Sequence, residues 1–350
     1  MRSLITLTLP PLFFFLSTGP DLKGQPQDTT ASLGIFDLLG REEIMDIELE
    51  TNLDSLMSRK REDTYTKGLF TFDQTRKQTM TLPVNIRCRG KFRRMKCSFP
   101  PLKLKFKKSD LAAHGLNEFN ELKLVTHCLD EKEKSKELIL REYVVYKLYN
   151  ILTPYSFRVQ LVKVTYINTE KKGKKLKGWG IVIEDEEDLA HRMGGEKIDK
   201  MGIPVDSLDP FQEKVVSLFQ FMAGNADWSI LLNRNIQSVL MPMGTYFTVP
   251  YDFDYSALVS APYARVDARL GQKTIRDRVF LGLADSLEAI KPAVELFLSK
   301  QDSLLEAIDD CPQLGMESKA DMRQYLAEFF DIIKDDSRIA NEVLLPAKKE

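Results

Sequence analysis

The sequence predicts an α+β protein, with an antiparallel sheet in its first half and a mostly helical second half. Two patterns carry that reading. Between residues 44 and 183, short runs rich in Thr, Tyr, Phe and Val alternate apolar with polar positions, and turn residues separate them. Beyond residue 209, apolar residues recur at three-and-four spacing over longer stretches. The chain has 350 residues, 43% of them apolar, enough for one large or two modest domains with a full core. A formal net charge of −1 gives no global attraction to nucleic acid, and no nucleic-acid partner is expected.

At the start, Arg2 is a charged lead, Leu4 to Leu16 an apolar stretch, and Ser17-Thr18-Gly19 a set of small residues for cleavage. Residues 1–19 therefore read as an export signal. The stretch holds Pro10 and Pro11 and is too short for a membrane span. The mature chain is expected to be exported, to the periplasm, the cell surface or the medium, without an integral membrane span. Residues 20–40 are polar and read as a linker. Strands follow at Ile44 to Leu49, Thr64 to Phe72 and Thr79 to Cys88.

From Arg87 to Lys108 there are ten Lys or Arg residues and no acid. Arg89-Gly90-Lys91-Phe92-Arg93-Arg94 places a glycine turn among cations, a pattern suited to closing over phosphates. After Pro100-Pro101, the run Leu102 to Lys107 alternates strictly. Leu102, Leu104 and Phe106 should face the core, and Lys103, Lys105 and Lys107 the other side. The whole run also reads as a solvated basic strand or a patch for an anionic polymer. Of the four cysteines, Cys88 and Cys97 would staple the loop between them, or all four stay free; their spacing is unlike a zinc site.

Asn120 to Val125 is another strand. Glu137 to Leu152 reads as a helix ended by Thr153-Pro154. Glu142 falls on its apolar stripe, and the residues three and four away (Leu138, Ile139, Val145, Tyr146) offer no cation. A carboxylate buried there needs a partner; otherwise Glu142 sits solvated at the rim of the helix. Phe157 to Ile167 and Gly178 to Ile183 form a hairpin across a lysine-rich turn at Glu170 to Lys177, and Glu184 to Asp188 reads as an exposed acidic hinge or helix start. Asp209 caps a helix with Pro210 in its first turn, and that helix ends at Gly224-Asn225. Further helices are expected at Val266 to Arg278, Ile290 to Ile308, with Pro292 in its first turn, and Lys319 to Ile333.

Two acidic motifs flank a hairpin-like segment: Gly224-Asn225-Ala226-Asp227-Trp228 with Asn233-Arg234-Asn235-Ile236, then Pro250-Tyr251-Asp252-Phe253-Asp254-Tyr255. Phosphoryl transfer asks for one carboxylate to take the acceptor's proton, and for an Asn and a second carboxylate to hold a metal. These motifs resemble those of the CotH-type atypical protein kinases, in a secreted bacterial branch. The resemblance implies a two-lobed protein-kinase-like fold: a sheet lobe at 41–188 with an antiparallel sheet, and a helical lobe at 189–350. It implies Asp227 as the catalytic base and Asn235, Asp252 and Asp254 as metal ligands. Asn235 lies eight residues beyond Asp227, a longer spacing than in ordinary protein kinases. It further implies Arg89, Lys91, Arg93, Lys105, Lys123 and Glu142 around the phosphates of ATP, with Mg or Mn, and a strand lysine, Lys123 or Lys105, paired with Glu142. The expected function is an exported kinase-like phosphotransferase acting on a protein or small molecule. The alternative is a non-catalytic, pseudokinase-like protein that binds an anionic cell-envelope ligand through the basic run.

Overall fold

In the computed structural model, which describes residues 33–344 apart from 42, 76, 77, 172 and 173, every alternating run of the first half becomes a strand. They are β1 (Met45–Thr51), β2 (Thr66–Thr75), β3 (Gln78–Cys88), β4 (Leu102–Phe106), β5 (Glu121–Val125), β6 (Val159–Asn168) and β7 (Lys175–Ile183). Short helices α1 (Ile35–Leu39), α2 (Leu53–Ser58), α3 (Arg93–Lys96) and α4 (Lys108–Ala113) punctuate them, and the long α5 (Lys132–Leu152) runs between β5 and β6. The export signal expected at 1–19 lies outside the described residues. Of the expected linker, α1 is ordered and buries Ile35, Phe36 and Leu39.

The strands do not form the expected antiparallel sheet. They close into a seven-stranded barrel in the order β1-β2-β3-β4-β5-β7-β6. Six pairings are antiparallel, but β1 and β6 meet in parallel, from Met45 opposite Val162 to Thr51 opposite Asn168. The barrel is therefore mixed, and closure removes the free edges an open sheet would expose. A two-lobed kinase-like fold is not what this chain adopts: from Leu33 onward it clusters as one compact unit around this barrel. Alternation marks which face of a strand is buried and carries no record of a distant strand's direction, which is why the closure was not foreseen. Leu102, Leu104 and Phe106 do point inward, where Phe106 meets Phe70 edge-on at 5.7 Å.

The rest of the chain adds α6 (Glu186–Arg192), a sheet of β8 (Glu196–Ile198), β9 (Ile236–Leu240) and β10 (Tyr246–Pro250), and the helices α7 (Pro210–Ala223), α8 (Leu287–Ser299), α9 (Gln301–Asp309) and α10 (Met316–Ile333). Helix α5 packs against β7 on one side and against α7 and α9 on the other, so one helix joins the barrel to the helical core. Asp209 caps α7 by accepting from the Gln212 amide at 2.8 Å, as predicted. Gly224 ends it at φ +64, where a Cβ would run into the Tyr325 hydroxyl and Ala257.

Several local expectations are corrected. Residues 266–278 form no helix beyond a 3-10 turn at Ala268–Leu270. Asp277 takes the Lys273 and Thr274 amides, and Gln272 takes that of Asp267, so side chains displace the helical bonds. The helix expected from 290 to 308 divides at Lys300, and Pro292 sits inside α8 rather than in its first turn. The acidic segment 184–188 does start a helix, but Glu184, Asp185 and Asp188 are buried rather than exposed. Arg158 and Arg192 hold Glu184 from both sides. Cys97 bonds to Cys128, not Cys88; Cys88 and Cys311 are buried free thiols, and burial pushes the Cys88 thiol up to about 11. Among the described residues no helix is long and apolar enough to cross a membrane.

The disulfide spans 31 residues and ties the end of α3 to the segment before α5. Replacing Cys97 and Cys128 by serine together should lower the unfolding free energy by about 3 kcal/mol in urea titrations. An identical midpoint for the oxidised protein and the double variant would show that the two thiols are not joined.

Candidate functional site

Gly224 reverses the chain after α7 and Asn225 is buried there, bonding Gln220 Oε1 and accepting the Asp227 amide at 3.0 Å. This places Asp227 at the mouth of the helical core. The Asn235 side chain then donates both to the Asp227 carbonyl at 2.6 Å and to Asp227 Oδ2 at 3.0 Å. Asn235 holds φ +52, a left-handed conformation that asparagine tolerates better than most residues. Its carbonyl accepts the Tyr251 amide at 3.1 Å, one step beyond the last β9–β10 pair, Ile236 opposite Pro250. The same end of the hairpin thus carries Asn235 and Asp252, with Asp227 laid across it.

Asp252 has φ +64. An aspartate held there costs roughly 1–2 kcal/mol, and surrounding contacts must fix it. They do: its amide donates to the Tyr146 hydroxyl at 2.9 Å, and the fully buried Phe253 ring wedges between Tyr146 at 4.7 Å and Phe219 at 5.5 Å. Burying that ring stabilises the segment by about 2 kcal/mol. The left-handed turn, rather than an extended alternation, brings Asp252 and Asp254 to a common partner.

That partner is Arg93. Its Nε donates to Asp254 Oδ2 at 2.7 Å, its Nη2 to Asp252 Oδ1 at 2.9 Å, and Nη2 also lies 3.5 Å from both Glu142 oxygens. Arg93 is 5% exposed and Glu142 2%. Burial opposes the charge on Arg93, but Asp254, Asp252 and Glu142 more than offset it and hold the guanidinium protonated. One cation cannot balance three acids, of which Glu142 and Asp254 are buried and Asp252 is partly exposed. Burial pushes Glu142 up to about 8, with Asp254 and Asp252 adding to the shift and Arg93 opposing it; burial likewise raises Asp254 to about 6.

The buried partner expected for Glu142 is therefore Arg93, not Lys123 or Lys105. Lys105 points off the barrel to Glu121 at 2.9 Å. Lys123 is buried, hydrogen-bonded to Glu186, with its ammonium 4.4 Å from the Tyr251 ring centre and 5.0 Å from that of Phe157. Burial brings its pKa down to about 8; Glu186 counters that, and the charge of Arg89 adds to it. Arg89 also acts electrostatically on Tyr146 and Tyr251, so it stands near the same site, and its guanidinium has no hydrogen bond or ion pair among the described residues. Lys91 is exposed at the turn.

The basic run is largely neutralised in space. Asp63 pairs with Arg87 and Arg94, Glu121 with Lys103 and Lys105, and Glu118 with Lys108. Sequence reading missed these partners, because they lie on other elements. It also missed Glu186 as the partner of Lys123, although the acidic cluster after β7 was visible.

The cluster divides into an acid corner, formed by Asp227, Asn235 and Asp252, and a cationic corner formed by Lys123 and Arg89 beside Tyr251. Asp227 is half-buried, and its carboxyl is raised above the ordinary range first by burial and then by Asp252, against the pull of Arg234. Among the described residues no group of three His, Cys, Asp or Glu side chains is arranged to hold a metal ion. No protein-family model matches the chain, and no curated protein matches it.

Arg93→Met should cost about 4 kcal/mol of stability, since it leaves the acids buried without their cation. Adding Glu142→Gln should restore part of the loss, and chemical denaturation of the single and double variants checks both. The raised pKa of Glu142 also sets a pH dependence. The folded state holds this proton more tightly than the unfolded state, whose value is 4.5, so the contribution of Glu142 to stability falls as pH rises from about 4.5 through about 8. Glu142→Gln should flatten the stability profile between pH 5 and 8, and a profile identical to that of the parent protein would contradict the assignment.

Proposed function

We propose that the chain is an exported phosphotransferase that uses ATP and a divalent metal, Mg or Mn, to modify a hydroxyl group of a protein or small molecule. The observation that carries this reading is the meeting of Asp227, Asn235 and Asp252 at one end of the β9–β10 hairpin. The resemblance to CotH-type kinases points the same way for activity, though not for fold. The Cys97–Cys128 bond supports an oxidising compartment, as export implies.

The residues fit a metal that serves phosphates. Such Mg sites take one or two carboxylates and leave the remaining positions to phosphate oxygens and water. Asp252 uses Oδ1 for Arg93, while its Oδ2 and the Asn235 Oδ1 accept no hydrogen bond among the described residues. These two atoms would hold the ion. Asp254 acts through Arg93, as a positioning residue. A bound Mg or Mn would offset charge on the phosphates and orient them. Lys123 and Arg89 supply the fixed positive charge on the protein side.

Asp227 is the base. Its raised pKa makes it a better proton acceptor than an ordinary aspartate, and the Asn235 amide orients Oδ2. The acceptor oxygen bonds to the γ-phosphorus as the bond to the bridging oxygen breaks, its electron pair leaving on ADP. The hydroxyl proton passes to Asp227 and then to solvent.

ATP with Mn should raise the melting temperature of the parent protein, and Asp252→Asn should abolish the shift. Asp227→Asn should keep the shift and lose about a thousandfold in transfer rate. Stabilisation by ATP that ignores both the metal and Asp252 would overturn the assignment, and the mass added to an acceptor separates phosphate from AMP.

A further inference from the structure

Between Tyr255 and Ser286 the chain has little regular structure yet is firmly pinned. Gln272 accepts the Asp267 amide at 3.1 Å and donates to the Asp277 carbonyl at 3.0 Å. Arg276 pairs with Asp321 at 3.0 Å and lies 4.6 Å from the Tyr325 ring centre. The pinned loop stands against the turn that carries Asp227, and between them opens a cleft of about 250 Å³. Its walls include Asp227, Arg234, Tyr255, Arg265, Arg269 and Gln272.

The charges in this cleft are unequal. Arg269 is matched by Asp267, whose two oxygens it holds at 2.9 and 2.6 Å. Arg234 Nε stands 3.5 Å from Asp227 Oδ1, a loose pair. Arg265 has no acid partner among the described residues; its guanidinium lies 5.8 Å from the Phe92 ring centre, at the exposed rim. Three arginines therefore face two aspartates in the cleft.

We propose that this cleft receives the acceptor and that the acceptor is an acidic peptide, with a hydroxyl side chain presented to Asp227 and flanking carboxylates held by Arg265 and Arg234. The proposal rests on the reading of Asp227 as the base, and it adds the substrate class. A basic peptide would bring its cations to unpaired Arg265, a repulsive encounter, so the cleft selects by rejection as well as by attraction. Arginine suits the task because its planar fork meets a carboxylate with two parallel hydrogen bonds. The group transferred and the fate of the proton are as written above, and the cleft contributes position only.

Binding can be read without chemistry. Fluorescein-labelled Ser peptides flanked by Glu or by Lys are titrated with the full chain in the absence of nucleotide, and anisotropy is followed at low and moderate salt. The Glu-flanked peptide should bind at least about tenfold more tightly, and Arg265→Ala should remove most of that preference while leaving the melting temperature unchanged. Arg265→Glu should turn the preference toward the Lys-flanked peptide. Equal binding of the two peptides, or a preference untouched by either substitution, would overturn the proposal. Arg265-dependent binding of the acidic peptide with no phosphate transferred from ATP and Mn would leave the cleft assignment standing and remove the phosphotransferase reading instead.

Discussion

Arg93 brings a single positive charge into a space where three carboxylates from distant segments already lie, and much of the molecule is arranged around that fact. Glu142 comes from α5, while Asp252 and Asp254 come from the chain that leaves β10. Arg93 itself stands on a four-residue helix too short to persist alone. Its position depends on neighbours: the Cys97 amide bonds the Arg93 carbonyl at 2.8 Å, and the Cys97–Cys128 bond anchors the helix end toward α5. Remove the anchors and the guanidinium has no reason to stay buried. Remove the guanidinium and the acids must take up protons or separate.

The electrostatic surplus of that knot explains why the two aspartates of the second motif are unequal. Asp254 is consumed by Arg93, deep in the interior, whereas Asp252 gives Arg93 one oxygen and keeps the other at a partly exposed surface. The strained backbone at Asp252 is what allows this division, and the Phe253 ring between Tyr146 and Phe219 holds the strain in place. Strain, aromatic packing and charge therefore act on three consecutive residues with one result, a partly exposed carboxylate at the end of the hairpin that also carries Asn235.

Charge along the chain and charge in space are different quantities here. Ten cations between Arg87 and Lys108 look like a patch for a polyanion when counted in sequence. Folding spreads them over the turn, α3 and the outside of β4, and supplies Asp63, Glu118 and Glu121 from other elements as counter-charges. Those pairs are largely exposed, contribute little to stability and serve to cancel the local field. Arg89 and Arg265 have no acidic partners among the described residues, and both keep a field to offer a ligand.

Much of the local structure was legible in the residues themselves. Seven strands, the cap at Asp209, the glycine stop at Gly224 and the inward face of β4 followed from alternation and capping, which act over a few residues and leave their mark in spacing. Glu142 on an apolar stripe meant either a buried cation beside it or a carboxylate solvated at the rim. Which cation it was, the direction in which β1 meets β6, the pairing of Cys97 with Cys128, and the loss of helix at 266–278 came only with the tertiary structure. Each is a meeting of segments far apart in the chain, or a competition between side-chain and backbone bonds, and neither has a period that a sequence can display. The residue types required at the site were thus determined by the sequence, while their partners were decided by which surfaces the closed barrel and α5 brought into contact.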